Sequence, residues 1–204
     1  MVRFIISLII LISCIYAVHA REPMQKSQQE LKVAQVINKP TTGLAKIGGR
    51  FFLKDHKGAL RKDTDFRGKY MLVYFGYSFC PDICPQALFS MTEALGQLGK
   101  KAGEIVPIFI TVDPHRDTQI QLDTYRQNFH PNLVTLTGTS AQVKQAMKSY
   151  RVYAAKVKPD GTLADYLVDH SSIIYLMDRQ GRFISHFNHA TPPEEISAML
   201  KTLP

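Results

Sequence analysis

From Phe4 to Val18 the chain is almost unbroken in apolar residues, and no charge follows Arg3 until Arg21. A run of that kind so near the start predicts a targeting or membrane-anchoring segment over residues 1–20, not a core helix. Residues 21–46 turn polar, with repeated Gln and Lys, and read as a tether. The remainder, 47–204, mixes short apolar runs with amphipathic stretches, the pattern of one folded domain.

Phe51-Phe52-Leu53 ahead of Asp55-His56-Lys57-Gly58 predicts a strand entering a turn. Tyr70 to Phe75 is continuously apolar, as expected of a central strand buried on both faces. Cys84, Leu88, Met91, Leu95 and Leu98 then recur four and three apart, which predicts a helix. Ile105 to Val112 reads as a second buried strand, with Pro107 tolerated near its start. Thr118 to Phe129 reads as a helix with Leu122, Tyr125 and Phe129 inward, and Leu133 to Leu136 as a short strand. Ser140 is placed as the N-cap of a helix carrying Val143, Met147 and Tyr150, and Lys158-Pro159-Asp160-Gly161 as a turn. Ile173 to Met177 and Arg182 to Phe187, joined by Asp178-Arg179-Gln180-Gly181, predict a hairpin. Thr191-Pro192-Pro193-Glu194 reads as a capping box opening a last helix through Ile196, Met199 and Leu200. Strands alternating with helices and closed by a hairpin predict an α/β domain with a mixed central sheet.

Composition narrows the function classes. With 45% hydrophobic and 21% charged residues in 204, the chain is neither disordered nor a polytopic membrane protein. Its net charge of +8 favours an acidic partner or an anionic surface. Nucleic acid is not expected, because the basic residues are scattered and no aromatic-basic module interleaves them. Three Cys are too few for a disulfide scaffold. One of them, Cys14, closes Leu11-Ile12-Ser13-Cys14, which has the form of a lipoprotein box. The leader therefore reads as cleaved near Val18-His19-Ala20, membrane-spanning, or lipidated at Cys14, and each form puts the domain across a membrane.

The other two are Cys80 and Cys84, in Cys80-Pro81-Asp82-Ile83-Cys84, directly after a buried strand and at the start of a helix. Amides and the dipole at a helix N-terminus stabilise a thiolate, so Cys80 is expected to have a lowered pKa. Four residues make about one helical turn, so the sulfurs face the same way, close enough for a disulfide or a shared soft metal ion. Two thiolates hold a metal weakly, so a third ligand is sought among seven His. His19 lies in the leader, His56 in a turn, His115 and His130 beside prolines, and His186 and His189 near a strand end. His170, immediately before the strand Ile173 to Met177, is the candidate at the sheet end; Asp169 is the adjacent group that could orient it, although adjacent residues in a strand usually diverge.

Further segments complete a pattern. They are Ile47-Gly48-Gly49, Phe66-Arg67-Gly68-Lys69-Tyr70, and Tyr74-Phe75-Gly76-Tyr77-Ser78-Phe79 running into the Cys motif and Pro85. Thr111-Val112-Asp113-Pro114, Arg116-Asp117-Thr118, Leu136-Thr137-Gly138-Thr139, Tyr150-Arg151-Val152-Tyr153 and Asp169-His170-Ser171 follow in order, ahead of Tyr175-Leu176-Met177-Asp178. On these segments the chain resembles the SCO/SenC family of copper proteins that serve cytochrome c oxidase assembly. Arg50, Gln119 and Arg179 depart from it at turns, away from the candidate ligands.

The resemblance implies a thioredoxin-like fold and one copper ion, Cu(I) or Cu(II), held by Cys80, Cys84 and His170. It implies delivery of that ion to the CuA site of oxidase subunit II, after loading by an upstream donor. Both a bacterial periplasm and a mitochondrial intermembrane space fit the N-terminal segment; with no mitochondrial presequence ahead of the apolar run, the expected location is the periplasmic side of a bacterial inner membrane. The alternative function is a thiol–disulfide oxidoreductase, with Cys80 and Cys84 as a redox-active pair reducing the cysteines of the oxidase copper site. Three residues between the cysteines, and no Pro in Asp169-His170-Ser171-Ser172, set the chain apart from thioredoxins.

Overall fold

The computed structural model describes residues 46–158 and 166–204. The leader, the tether up to residue 45, Cys14 and most of the turn at Lys158–Gly161 lie outside the described residues. The larger compact unit ends at Lys201, and no helix among the described residues is long and apolar enough to cross a membrane.

Among the described residues, nine strands and four α-helices form this unit. In chain order they are β1 (Phe52–Asp55), β2 (Leu60–Lys62), β3 (Tyr70–Gly76), α1 (Ile83–Gly96), β4 (Ile105–Thr111), α2 (Gln119–Arg126), β5 (Val134–Thr137), α3 (Ser140–Tyr150), β6 (Ala154–Val157), β7 (Leu167–His170), β8 (Ile173–Met177), β9 (Phe183–Asn188) and α4 (Pro193–Lys201). Seven strands form one mixed sheet in the order β2-β1-β5-β4-β3-β8-β9, while β6 and β7 form a separate ribbon. The sheet is parallel at its centre, where β3 pairs with β4 and β4 with β5, and antiparallel on both flanks.

The continuous apolar run of β3 is buried at every position, as a strand covered on both faces must be. Met71, Val73 and Phe75 join Val143, Ala146 and Tyr150 of α3 in one core. The alternate residues Leu72 and Tyr74 therefore point to the other face, and Tyr74 meets Phe109 there. The apolar stripe of α1, with Cys84, Leu88, Met91 and Leu95 buried, covers the sheet. Gly76 is the point of closest approach. A Cβ there would stand 2.9 Å from Cys84 Sγ and 3.0 Å from both the Phe109 and Tyr74 rings. Gly76→Ala is therefore expected to cost ~1–3 kcal/mol by overpacking, read as a lower midpoint in chemical denaturation.

Several boundaries differ from the sequence reading. The N-cap of α3 is Thr139, not Ser140: its hydroxyl accepts from Gln142 N–H, and the Gln142 side chain bonds back to Thr139 N–H. The threonine one residue earlier supplies both halves of the box. Helix α2 stops at Arg126, so Phe129 is buried from the following turn and not from the helix. Leu98 likewise is buried beyond the end of α1. At α4 the Pro192 carbonyl accepts the first helical bond from Ile196 N–H, so Thr191 lies one residue too early to cap it. Arg179, where the family pattern often has Pro, bonds Glu104 at 2.6 Å and the Gly68 carbonyl at 3.1 Å.

Candidate metal centre

After Gly76 the chain leaves β3, and Cys80 N–H donates to the Tyr77 carbonyl to close a turn. Helix α1 begins at Ile83 with Asp82 as its N-cap, whose side chain makes no capping bond. The Cys80 sulfur takes that place, accepting Cys84 N–H at 3.4 Å. Cys80 therefore stands outside the helix, correcting the expectation that one helical turn aligns the two sulfurs. The turn before α1 brings them together instead.

Cys80 is half-buried and Cys84 fully buried, and both are free thiols. The Cys84 thiol hydrogen bond leads the causes that hold Cys80 down at about 5, with the Asp82 and Cys84 amides and nearby His170 contributing against desolvation. Its counterpart moves the opposite way. The hydrogen bond to Cys80 and then burial push the Cys84 thiol far up. One sulfur is a thiolate at neutral pH while the other keeps its proton. Alkylation of the reduced chain by iodoacetamide is expected to titrate at Cys80 with a midpoint near pH 5, while Cys84 stays protected at neutral pH. A single midpoint in the ordinary thiol range, near pH 8.5, would contradict it. Because the folded value lies below the unfolded one, the unfolded chain binds more protons between them. The contribution of Cys80 to stability thus grows with pH across that window and is lost below its lower end.

The third candidate arrives from 86 residues away. His170 is the last residue of β7, and its Nε2 lies 3.3 Å from Cys84 Sγ. Its Nδ1 lies 3.2 Å from the Ser171 carbonyl oxygen. A carbonyl only accepts, so Nδ1 carries the proton and Nε2 turns its lone pair toward the sulfur. Burial lowers the His170 pKa, which keeps the ring neutral and fit to bind a metal. Asp169 does not orient it: that side chain is exposed, as alternation along the strand requires. The rings of Tyr74 and Tyr77 meet the imidazole edge-on at 6.1 and 6.0 Å. Of the other histidines, His186 stacks on Phe183, and His189 N–H donates to Ser172 without its ring joining the set.

Among the described residues, no three His, Cys, Asp or Glu side chains are drawn up as a closed ligand cluster. The two sulfurs and the imidazole nitrogen instead gather around the one proton of Cys84, and these donor atoms fit a soft ion. One thiolate and one imidazole at about 2.3 and 2.0 Å from a first-row metal stand roughly 3.5 Å apart at a tetrahedral angle. The observed 3.3 Å is within a few tenths of that. The buried Tyr74 hydroxyl lies beside this set, near enough to Cys84 to favour its thiolate against burial.

Two residues unread in the sequence brace the Cys80 loop. The buried Asp117 carboxylate accepts Ser78 N–H at 3.1 Å, Ser78 Oγ–H at 2.6 Å and Thr111 Oγ–H at 2.6 Å. Burial pushes its carboxyl above the usual carboxylate range despite those bonds. Arg116 packs on Tyr77 and Phe79. Both residues lie in a quoted segment, but nothing in their spacing points to the Cys motif.

A family model described as SCO1/SenC matches residues 39–203. The chain belongs to that family. It is 42% identical over 156 residues to a SCO2-like protein of Rickettsia felis, covering 76% of each chain. It is 44% identical over 151 residues to the mitochondrial SCO2 homolog of Homo sapiens, covering 73% of this chain and 56% of that one. The structure of Bradyrhizobium japonicum ScoI with copper bound is similar at a TM-score of 0.70 and 46% identity, over 76% of this chain and 98% of that one. Yeast Sco1 with copper bound is similar at a TM-score of 0.67 and 39% identity, over 78% and 91%. The mixed sheet flanked by helices is thus the architecture of solved SCO1/SenC members.

Proposed function

We propose that this chain is a copper carrier that holds one ion through Cys80, Cys84 and His170 and hands it to the CuA site of cytochrome c oxidase subunit II. The observation that carries the reading is the Cys84 Sγ–His170 Nε2 approach of 3.3 Å, which joins two distant segments in a soft-donor set. Thiolates favour Cu(I), and the neutral imidazole helps to accommodate Cu(II). Similar chains with copper bound support the ion, and family membership supports the role in oxidase assembly.

Transfer follows from ligand exchange between docked proteins. Cys80, half-exposed and ionised, is the donor an incoming thiolate reaches first, while Cys84 and His170 hold the ion from within. Residues 21–204 carry 24 basic against 17 acidic side chains, a net +7, so docking on an acidic surface would weaken with salt. The apolar run in residues 1–20 supports export of the domain to the periplasmic face of a bacterial inner membrane, as an anchor, a cleaved leader or a lipoprotein at Cys14. The SCO2 homolog of Homo sapiens is mitochondrial by name, which is in keeping with export.

A second reading is favoured by the split between the two thiols. The Cys80 thiolate would attack a disulfide formed by the partner's copper ligands, giving a mixed disulfide. Cys84 would then lose its proton and displace the partner's second sulfur, so the partner gains a dithiol as this pair becomes a disulfide. Copper-loaded chain mixed with reduced, copper-free CuA domain separates the readings. Growth of the CuA absorption with loss of copper from this chain supports delivery. Thiols released from oxidised CuA domain by the copper-free chain, without metal transfer in the first mixture, would replace delivery with reduction.

A further inference from the structure

The Cys80 loop and β7 are separate in sequence, and β7 belongs to a ribbon outside the main sheet. Tyr77 reaches from the loop to the His170 ring, and a side chain from a third segment packs against both. Arg116, on the segment between β4 and α2, places its guanidinium 5.5 Å from the centre of the Tyr77 ring and 5.0 Å from that of Phe79. These residues flank Ser78 just before Cys80. The same guanidinium lies 3.7 Å over the Tyr166 ring, and its Nη1 donates to the Tyr166 carbonyl at 3.0 Å. Tyr166 directly precedes β7, which ends at His170.

Asp113 fixes the bridge, accepting Arg116 Nε–H at 2.6 Å and the Tyr166 hydroxyl at 2.8 Å. Only 20% of the Arg116 side chain is exposed. A planar guanidinium can lie against three rings and still donate at its edge, which an ammonium cannot do.

We infer that Arg116 is a positioning residue that sets the placement of the Cys80 loop against the His170 strand, so that both ligand-bearing segments meet at one site. It touches no candidate ligand, so its effect on metal binding passes through His170 and Cys80. The inference rests on the three-residue site proposed above, and its first readout needs no metal.

In the reduced, copper-free chain, the nuclear Overhauser contact between the Tyr77 and His170 rings reports the bridge. The contact between Tyr74 and Phe109, both within the central sheet, serves as control. Arg116→Met is expected to weaken the first severalfold and leave the second unchanged. Chelator competition then compares wild type, R116M, H170A and the double variant. R116M is expected to lower Cu(II) affinity roughly 10–100-fold, as loss of groups that orient metal ligands does. In the H170A background the same change is expected to cost less than about threefold.

An unchanged Tyr77–His170 contact, or equal affinity losses in both backgrounds, would overturn the inference. Should wild type hold no copper while the ring contact is lost in R116M, the carrier reading fails and the positioning role stands. Should R116M not fold, Arg116→Lys keeps a cation beside Asp113 without the flat three-ring contact. The same loss is expected of it, and wild-type behaviour would overturn the role.

Discussion

Replacing His170 with alanine is expected to lower the affinity of the reduced chain for Cu(II) by on the order of a hundredfold or more, and for Cu(I) by less. Groups that only orient a metal ligand already contribute about 10–100-fold, and His170 supplies the ligand atom itself. The asymmetry between oxidation states follows from donor chemistry. Two thiolates retain a Cu(I) ion with modest loss, whereas Cu(II) depends more on the nitrogen donor. The folded state is expected to tolerate the change. His170 ends the short ribbon β6–β7 and is not part of the main core cluster. Chelator competition with each oxidation state checks this. Equal affinity of H170A and wild type for Cu(II) would remove His170 from the site.

Asp117→Ala is expected to be the most destabilising change near the site. The carboxylate satisfies Ser78 N–H and the hydroxyls of Ser78 and Thr111, and Asp117 itself is fully buried. Each buried donor left without an acceptor costs ~1–3 kcal/mol, so about 3 kcal/mol is expected after the hydroxyls rotate. At this chain length 1 kcal/mol moves Tm by about 2–4 °C, which puts the drop at roughly 6–12 °C. Asp117→Asn keeps one acceptor oxygen and should lose about half as much. Differential scanning calorimetry reads both. A D117A melting point within about 2 °C of wild type would show that the three bonds brace nothing.

The framework of the fold was legible because its signals are long or continuous. The apolar run Tyr70–Phe75 appears as the strand buried on both faces, and the stripe from Cys84 to Leu95 as the helix that covers it. The ribbon was not anticipated. Ala154-Ala155-Lys156-Val157 and Leu167-Val168-Asp169-His170 are four residues each, too short for a period of two to stand out. Leu60-Arg61-Lys62, a strand of three residues, is too short for the same reason. Yet the ribbon is what carries His170, so the position of the third donor depends on an element the sequence hardly announces.

Within the site, residue types were readable and contacts were not. The Cys80–Cys84 spacing pointed to one shared site, but the sulfurs meet through a turn ahead of α1 and not through helical periodicity. Asp169 was the plausible partner for His170 by adjacency, but strand alternation turns it outward, and a backbone carbonyl from Ser171 sets the tautomer. Backbone acceptors carry no residue-type signal, so pattern reading misses them. Arg116 and Asp117 stand 36 and 37 residues beyond Cys80, and only folding shows that they act on its loop.

X-ray absorption at the copper edge of the reduced, Cu(I)-loaded chain tests the central claim most directly. The account predicts two sulfur scatterers and one nitrogen scatterer per copper, with the nitrogen and its imidazole ring pattern lost in H170A. A shell with fewer than two sulfurs, or an unchanged nitrogen in H170A, would contradict the Cys80–Cys84–His170 site.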